Sequence, residues 1–132
     1  MKTRPRSALI LTCVLACFAL SAAAADRVRE GQWDTTINLG GRTMTRSACI
    51  SKSDADAING DAKSIGAYVQ KVSTPADCKV TDVKISGNQV SVTTVCAAGK
   101  ENVGTTTYHG ESSETVNTNG AKSQSKWVGA CK

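Results

Sequence analysis

The fold is decided by residues 78–96, which read CKVTDVKISGNQVSVTTVC. Apolar and polar side chains alternate on both sides of Gly87-Asn88, a dipeptide typical of a two-residue hairpin turn. The pairing that this turn imposes places Ile85 opposite Val90 on one face of the hairpin. The stretch therefore predicts two antiparallel strands joined by that turn, Val80–Ile85 and Gln89–Val95.

Whether the two cysteines that flank this hairpin can form a disulfide depends on the exact register of its strands. Uninterrupted pairing would place Cys78 opposite Ala97 rather than Cys96. The alternation of apolar and polar residues in the first strand shifts by one position near Thr81-Asp82, which predicts a β-bulge there. Either this one-residue bulge or a frayed start of the strand would bring Cys78 to Cys96.

A second hairpin is predicted upstream. Apolar and polar residues alternate from Trp33 onward, and Gly40-Gly41 supplies a two-residue turn. Pairing across that turn places Ile37 opposite Met44. The same register places Trp33 opposite Ala48, so all four side chains share the face that we expect to pack on the core.

The segment between the two hairpins predicts helical structure. Ser51 and the carboxylates of Asp54 and Asp56 suit the N-terminus of a helix. Gly60 and Gly66 weaken a helix, so we expect either one broken helix or two short ones. The apolar residues that recur on one side of this segment are Ile58, Ile65, Tyr68, Val69 and Val72.

Three further strands are predicted after the central hairpin. Thr-rich stretches cover residues 103–108, 113–118 and 122–128, and His109-Gly110 and Asn119-Gly120 separate them as turns. The expected fold is therefore α+β and mainly β. It is an antiparallel meander sheet of order β-β-α-β-β-β-β-β with one short or broken helix.

The strand order bears on how the cysteines pair. Strand ends in a meander alternate between the two ends of the sheet, so Cys78 and Cys96 lie at one end and Cys131 lies at the other. Cys49 is then the partner of Cys131, which makes this the preferred one of three possible connectivities. The absence of a C-x-x-C pair disfavours both a zinc site and a redox-active dithiol.

Residues 1–25 have the pattern of a signal peptide. A basic start precedes an apolar run over residues 8–20, and Ala23 and Ala25 satisfy the small-residue cleavage rule, so we expect cleavage before Asp26. An uncleaved membrane anchor is less favoured because that run is shorter than the roughly 20 residues that span a bilayer. Lipidation at Cys17 is a third possibility. A single domain over residues 26–132, exported to the periplasm, is the preferred interpretation.

Removing this leader changes the charge of the protein. Three of the 16 basic residues lie in it but none of the 11 acidic ones, which leaves 13 basic against 11 acidic residues in the remaining chain. Those basic residues are scattered singly, as on an ordinary solvated surface. The sequence therefore disfavours nucleic acid as a partner, and it predicts no transmembrane span in the mature chain.

Four short motifs follow one another along the chain: Gly31-Gln32-Trp33-Asp34, Cys49 before a capped helix, residues 78–82 leading to Gly87-Asn88 and Cys96, and Gly129-Ala130-Cys131. In their order and spacing, these motifs resemble the DUF3617 family of bacterial exported proteins. The resemblance covers nearly the whole mature chain. It implies a mainly β domain in the periplasm or envelope of a Gram-negative cell. It implies no activity and no site residues, because the function of that family is unknown.

Few residues offer catalytic or cofactor chemistry. His109, the only histidine, could act with Glu111 or Glu114 in a small hydrolase, but a solvated turn histidine is the preferred interpretation. The acidic segment 54–61 superficially resembles a calcium loop, yet its ligand positions fall on alanines. We therefore expect no metal and no cofactor.

The preferred function is that of a non-catalytic binding module. Trp33, Tyr108 and Trp127 are the candidate binding surface, because large amphipathic side chains concentrate binding energy. The alternative for Trp33 is a purely structural place in the core. The partner would be an envelope protein, a glycan or a small apolar ligand.

Overall fold

The computed structural model describes residues 26–132, so the predicted signal peptide and Cys17 lie outside the described residues. Two hairpin strands are followed by two helices and then by five more strands. The elements are β1 Gly31–Leu39, β2 Arg42–Ile50, α1 Lys52–Asn59, α2 Ala62–Ser73, β3 Lys79–Ser86, β4 Gln89–Val95, β5 Glu101–Tyr108, β6 Ser112–Asn117 and β7 Lys122–Gly129.

All seven strands form one antiparallel sheet in the order β2-β1-β7-β6-β5-β4-β3. The meander from β3 to β7 is continuous, and β1 pairs with β7, which joins the N-terminal hairpin to it. The sheet therefore ends on β2 at one edge and on β3 at the other. This arrangement confirms the predicted α+β, mainly β fold, with the helical segment divided into two helices at Gly60.

The central hairpin has the predicted register. Ile85 lies opposite Val90, and the pairing shifts between Val80 and Asp82, where the β-bulge was expected. The shift brings Cys78 into line with Cys96, and the two form a disulfide. The second disulfide joins Cys49 to Cys131, so the preferred connectivity is confirmed.

The first hairpin also has the predicted register, but only part of it packs on the core. Trp33 lies opposite Ala48 and Ile37 opposite Met44. Trp33 is only 3% exposed, whereas Met44 is 58% exposed. The core around Trp33 is built on β1 and α1, and the other helix packs against β3 at the far edge of the sheet. The expected burial of Met44 is therefore wrong, because the core lies over β1 and the contribution of β2 to it is Ile50, at the other end of the strand.

The helices begin at side-chain caps and contribute the other half of the core. Ser51 Oγ accepts a hydrogen bond from Asp54 N at 3.2 Å, and Asp61 Oδ1 accepts one from Ser64 N at 2.8 Å. The expected burial of Val72 is wrong: it is 54% exposed and lies in the last turn of α2, outside the core cluster. The main core cluster is formed by Val28, Trp33, Ala55 and Ile58.

Candidate functional site

A cavity lies between the helices and the face of the sheet that carries Trp33, which we call the helix face. Its volume is about 320 Å³, and the first hairpin, the C-terminal strands and both helices contribute to its lining. We call it the central cavity. The residues that line it are Val28, Trp33, Thr35, Ile37, Arg46, Ala48, Ile50, Ile58, Tyr68, Thr106, Tyr108, Ser113, Thr115 and Ser125.

The sheet side of the central cavity carries a row of hydroxyl groups. Thr35 on β1 and Ser125 on β7 lie opposite each other, and their oxygens are 2.8 Å apart. Thr106 on β5 and Thr115 on β6 form a second pair at 2.8 Å. Ser113 lies between the two pairs, opposite Ser125. Each hydroxyl can both donate and accept a hydrogen bond, so this floor can bind ligand groups that are donors or acceptors.

The walls above this floor are apolar and aromatic. Trp33 and Ile58 are buried core residues, and the rings of Tyr68 and Tyr108 are partly buried beside them. Burial raises the pKa of the Tyr108 phenol, and the positive charge of Arg27 opposes that rise. Burial also raises the pKa of Tyr68. Both phenols therefore remain protonated at neutral pH and keep a hydrogen to donate.

The β2 side of the cavity carries a positive charge. Arg46 lies opposite Thr35, so its side chain belongs to the helix face. It is exposed, as are all residues of β2 except Ile50. Ala48 is the neighbouring residue on that face and leaves the opening free of a large side chain. The site therefore combines an apolar wall, a hydroxyl floor and one guanidinium at its rim.

The three aromatic residues of the predicted binding surface have different environments. Trp33 forms the inner wall of the cavity, and its Nε1 donates to Arg29 O at 3.0 Å. Tyr108 also lines the cavity. Trp127 lies outside the lining: the Arg29 guanidinium is 3.8 Å from its ring centroid, and its Nε1 donates to Glu30 O at 3.1 Å. The structure thus brings Trp33 and Tyr108 together at one site and places Trp127 against the N-terminal segment.

The groups of the hydrolase alternative are apart from the central cavity. His109 is exposed at the turn between β5 and β6, where its backbone N donates to Ser112 O at 2.8 Å. The Glu111 carboxylate is paired with the Arg29 guanidinium at 2.5 Å. Glu114 lies within β6, opposite Thr107. The ion pair with Arg29 therefore competes with any interaction between the Glu111 carboxylate and His109.

The hydroxyl floor and Arg46 were missed by the sequence analysis, although a signal existed. The alternation that places Trp33 on the helix face also places Thr35 there, and the meander turns fix the faces of Ser113 and Thr115. Hydroxyl residues at inward positions of a sheet are unusual unless they face a polar or open space. These residues cluster because β1 lies beside β7, a pairing between distant parts of the chain.

The described residues were also considered for membrane-spanning helices and for clusters of metal ligands. Over residues 26–132, neither helix is long and apolar enough to cross a lipid bilayer. Across those same positions, no group of three or more His, Cys, Asp or Glu side chains is arranged to hold a metal ion.

Comparison with known proteins gives one family. The profile described as "Protein of unknown function (DUF3617)" matches residues 28–131, which is more than three quarters of the chain. No curated protein and no solved structure matches significantly. The matched range begins at Val28 and ends at Cys131, so it includes every strand, both helices and both disulfides. The chain therefore belongs to the DUF3617 family of proteins of unknown function.

Proposed function

We propose that this protein is an exported, non-catalytic binding module that holds a small amphipathic ligand in the central cavity. The observation that carries this proposal is the opposition of an apolar and aromatic wall to a floor of five hydroxyl groups. Ligand sites in proteins typically combine mostly apolar walls with a few placed polar groups. A volume of about 320 Å³ lies at the small end of such sites, so the ligand is small.

Arg46 narrows the chemistry of that ligand. Its guanidinium is the charged group in the cavity lining, and it lies on the exposed side toward β2. An apolar body seated against Trp33 and Ile58 would leave a carboxylate or similar acidic group within reach of Arg46. The proposed ligand is therefore a small molecule with an apolar body and an acidic head group, in preference to a glycan.

The binding test compares the wild-type protein with two variants of β2. Decanoate is titrated into isotopically labelled protein, and amide shifts are followed by NMR. We expect shifts at Tyr108, Thr106 and Ser113. Ala48→Trp should abolish them by filling the opening, whereas Ser47→Trp, on the other face of the same strand, should preserve them. Decanoate binding that is equal in both variants would place the ligand elsewhere.

The natural ligand requires a separate measurement. Native mass spectrometry of protein isolated from its host should detect a co-purifying small molecule, and Ala48→Trp should lack it. A bare monomer that also fails to bind decanoate would contradict the proposal.

The export part of the proposal places the protein in the periplasm with its leader removed. Two disulfides in a small domain are consistent with an oxidising compartment. The basic and apolar pattern of residues 1–25 is typical of a signal peptide. Fractionation followed by N-terminal sequencing should give a periplasmic protein that starts at Asp26. A start at an acylated Cys17 would instead identify a lipid-anchored protein.

A further inference from the structure

The two edge strands of the sheet, β3 and β2, differ in how far they are protected against pairing with another strand. At the β3 edge, the side-chain amide of Gln70 takes the place of a neighbouring strand. Its Nε2 donates to Cys78 O at 3.0 Å, and its Oε1 accepts from Val80 N at 2.8 Å. Two of the backbone groups through which this edge could pair with another chain are therefore satisfied from within the protein.

Two further features protect the β3 edge. The bulge between Val80 and Asp82 interrupts its regular pairing geometry, and Lys79 and Lys84 place charges along it. Bulges and lysines are common devices by which proteins prevent edge-to-edge association. Helix α2 also packs against this strand. Together these features disfavour pairing of another strand with the β3 edge.

Within residues 26–132, the β2 edge has no bulge and no side-chain amide bound to its outward backbone groups, and its charges are those of Arg42 and Arg46. Its nine residues pair with β1 in one uninterrupted register, and all but Ile50 are exposed. In a two-residue hairpin the residues next to the turn form a hydrogen-bonded pair, so alternate residues direct their N–H and C=O groups outward. Thr43, Thr45 and Ser47 occupy those outward positions. A long, regular edge of this kind is a template for strand addition.

The charges of β2 indicate which kind of strand would fit. Arg42 and Arg46 lie on the helix face with the exposed Met44 between them, and β2 contains no acidic residue. Antiparallel pairing with a second copy, centred near Thr45, would bring four guanidinium groups together on one face, which is unfavourable. A strand with carboxylates opposite the two arginines would be attracted electrostatically, whereas a second copy of β2 would be repelled.

We propose that the β2 edge, Arg42–Ile50, binds an extended acidic segment of a partner protein as an eighth strand of the sheet. Carboxylates two residues to either side of an apolar side chain would face Arg42 and Arg46, with the apolar side chain against Met44. This site shares Arg46 with the rim of the central cavity, but its other contacts are the outward backbone groups of β2, Arg42 and Met44.

The test uses two peptides that differ only in charge, TETVTET and TKTVTKT, titrated into labelled protein under NMR observation. We expect the acidic peptide to shift the amides of β2 and the basic peptide to leave them unchanged. Affinity for the acidic peptide should fall several-fold between low and high salt, because exposed charges are screened. Binding of neither peptide at millimolar concentration would overturn the proposal.

Two variants separate strand addition from simple charge attraction. Thr45→Pro removes one outward N–H and should weaken TETVTET binding about tenfold, whereas Thr45→Val should leave it nearly unchanged. Arg42→Glu should weaken the acidic peptide and create affinity for TKTVTKT, which keeps the test valid if the proline variant unfolds. Equal binding by Thr45→Pro and Thr45→Val would overturn strand addition. Concentration-dependent dimerisation through β2 in the absence of peptide would identify a second copy as the occupant instead.

Discussion

The side-chain amide of Asn59 pairs with the backbone of Val28 at two points. Its Oδ1 accepts from Val28 N at 3.0 Å, and its Nδ2 donates to Val28 O at 2.8 Å. The same oxygen accepts from Arg27 N at 2.8 Å. Asn59 therefore fixes the N-terminal segment to the end of α1, with Val28 in the core cluster. The segment is held by hydrogen bonds as well as by packing.

Replacing Asn59 tests how much this attachment contributes. Asn59→Ala leaves the N–H and C=O groups of Val28 and the Arg27 N–H without their partner, and we expect the free energy of unfolding to fall by about 2–3 kcal/mol. Urea denaturation measures this loss. Asn38→Ala is the matched control, because Asn38 is exposed and its bond to Thr43 is long at 3.4 Å. A loss no larger than that of the control would show that packing of Val28 alone holds the segment.

The two disulfides should contribute unequally to stability. Cys49–Cys131 closes a sequence separation of 82 residues, and Cys78–Cys96 closes one of 18. On the chain-entropy account, replacing the first pair by serines costs about 4.5 kcal/mol and replacing the second costs about 3 kcal/mol. Chemical denaturation of the two double variants compares them directly. The reverse order would mean that local packing, rather than loop length, dominates.

Gly31 occupies a position that a side chain does not fit. Its φ is +133°, and a Cβ there would collide with Trp127 Nε1 and with Gly129 O. Gly31→Ala should therefore destabilise the protein by about 3 kcal/mol and change the fluorescence of Trp127. Gly40→Ala is the control, because Gly40 has a positive φ of +58° but no heavy atom within 4 Å of its Cβ position. It should cost only about 1 kcal/mol.

The local features of this fold could be predicted because their signals lie within a few residues. The Gly87-Asn88 turn set the register of one hairpin, and the shift in parity near Thr81-Asp82 located its bulge. The disulfide connectivity also followed, because it depends only on which end of the sheet each strand reaches. These features require no knowledge of which distant strands are neighbours.

The central cavity could not be predicted, because it depends on contacts between distant parts of the chain. The pairing of Thr35 with Ser125 joins residues that are 90 positions apart. Trp127 was expected to belong to the binding surface on the basis of its residue type alone. The Arg29 guanidinium lies over its ring, and the position of Arg29 follows from the attachment of the N-terminal segment. Residue type indicates which interactions a side chain can make, but tertiary contacts determine whether that side chain lines the cavity.

The two tyrosines that line the cavity predict a loss of stability at high pH. Burial raises the pKa of both above the usual value of 10.0. A group whose pKa is raised in the folded state contributes stability below its unfolded pKa, and this contribution is lost as the pH rises through the folded pKa. The urea midpoint should therefore fall above about pH 10. Tyr108→Phe should reduce that fall, and absorbance titration should give phenol midpoints above those of the urea-unfolded protein.

Gln70 should be what keeps the β3 edge from associating. Gln70→Ala leaves Cys78 O and Val80 N unpaired at an exposed edge, so we expect a loss of about 2 kcal/mol together with concentration-dependent dimerisation. Sedimentation velocity and urea denaturation measure the two effects. Gln89→Ala is the control, because Gln89 makes a longer bond of 3.3 Å to Thr107 and does not cap an edge. A stable monomeric Gln70→Ala variant would show that the bulge and the lysines close this edge by themselves. Dimerisation would show instead that a single side-chain amide prevents strand pairing at the β3 edge. Within the described part of the chain, the β2 edge lacks such an amide, so that result would support its proposed role in binding another strand.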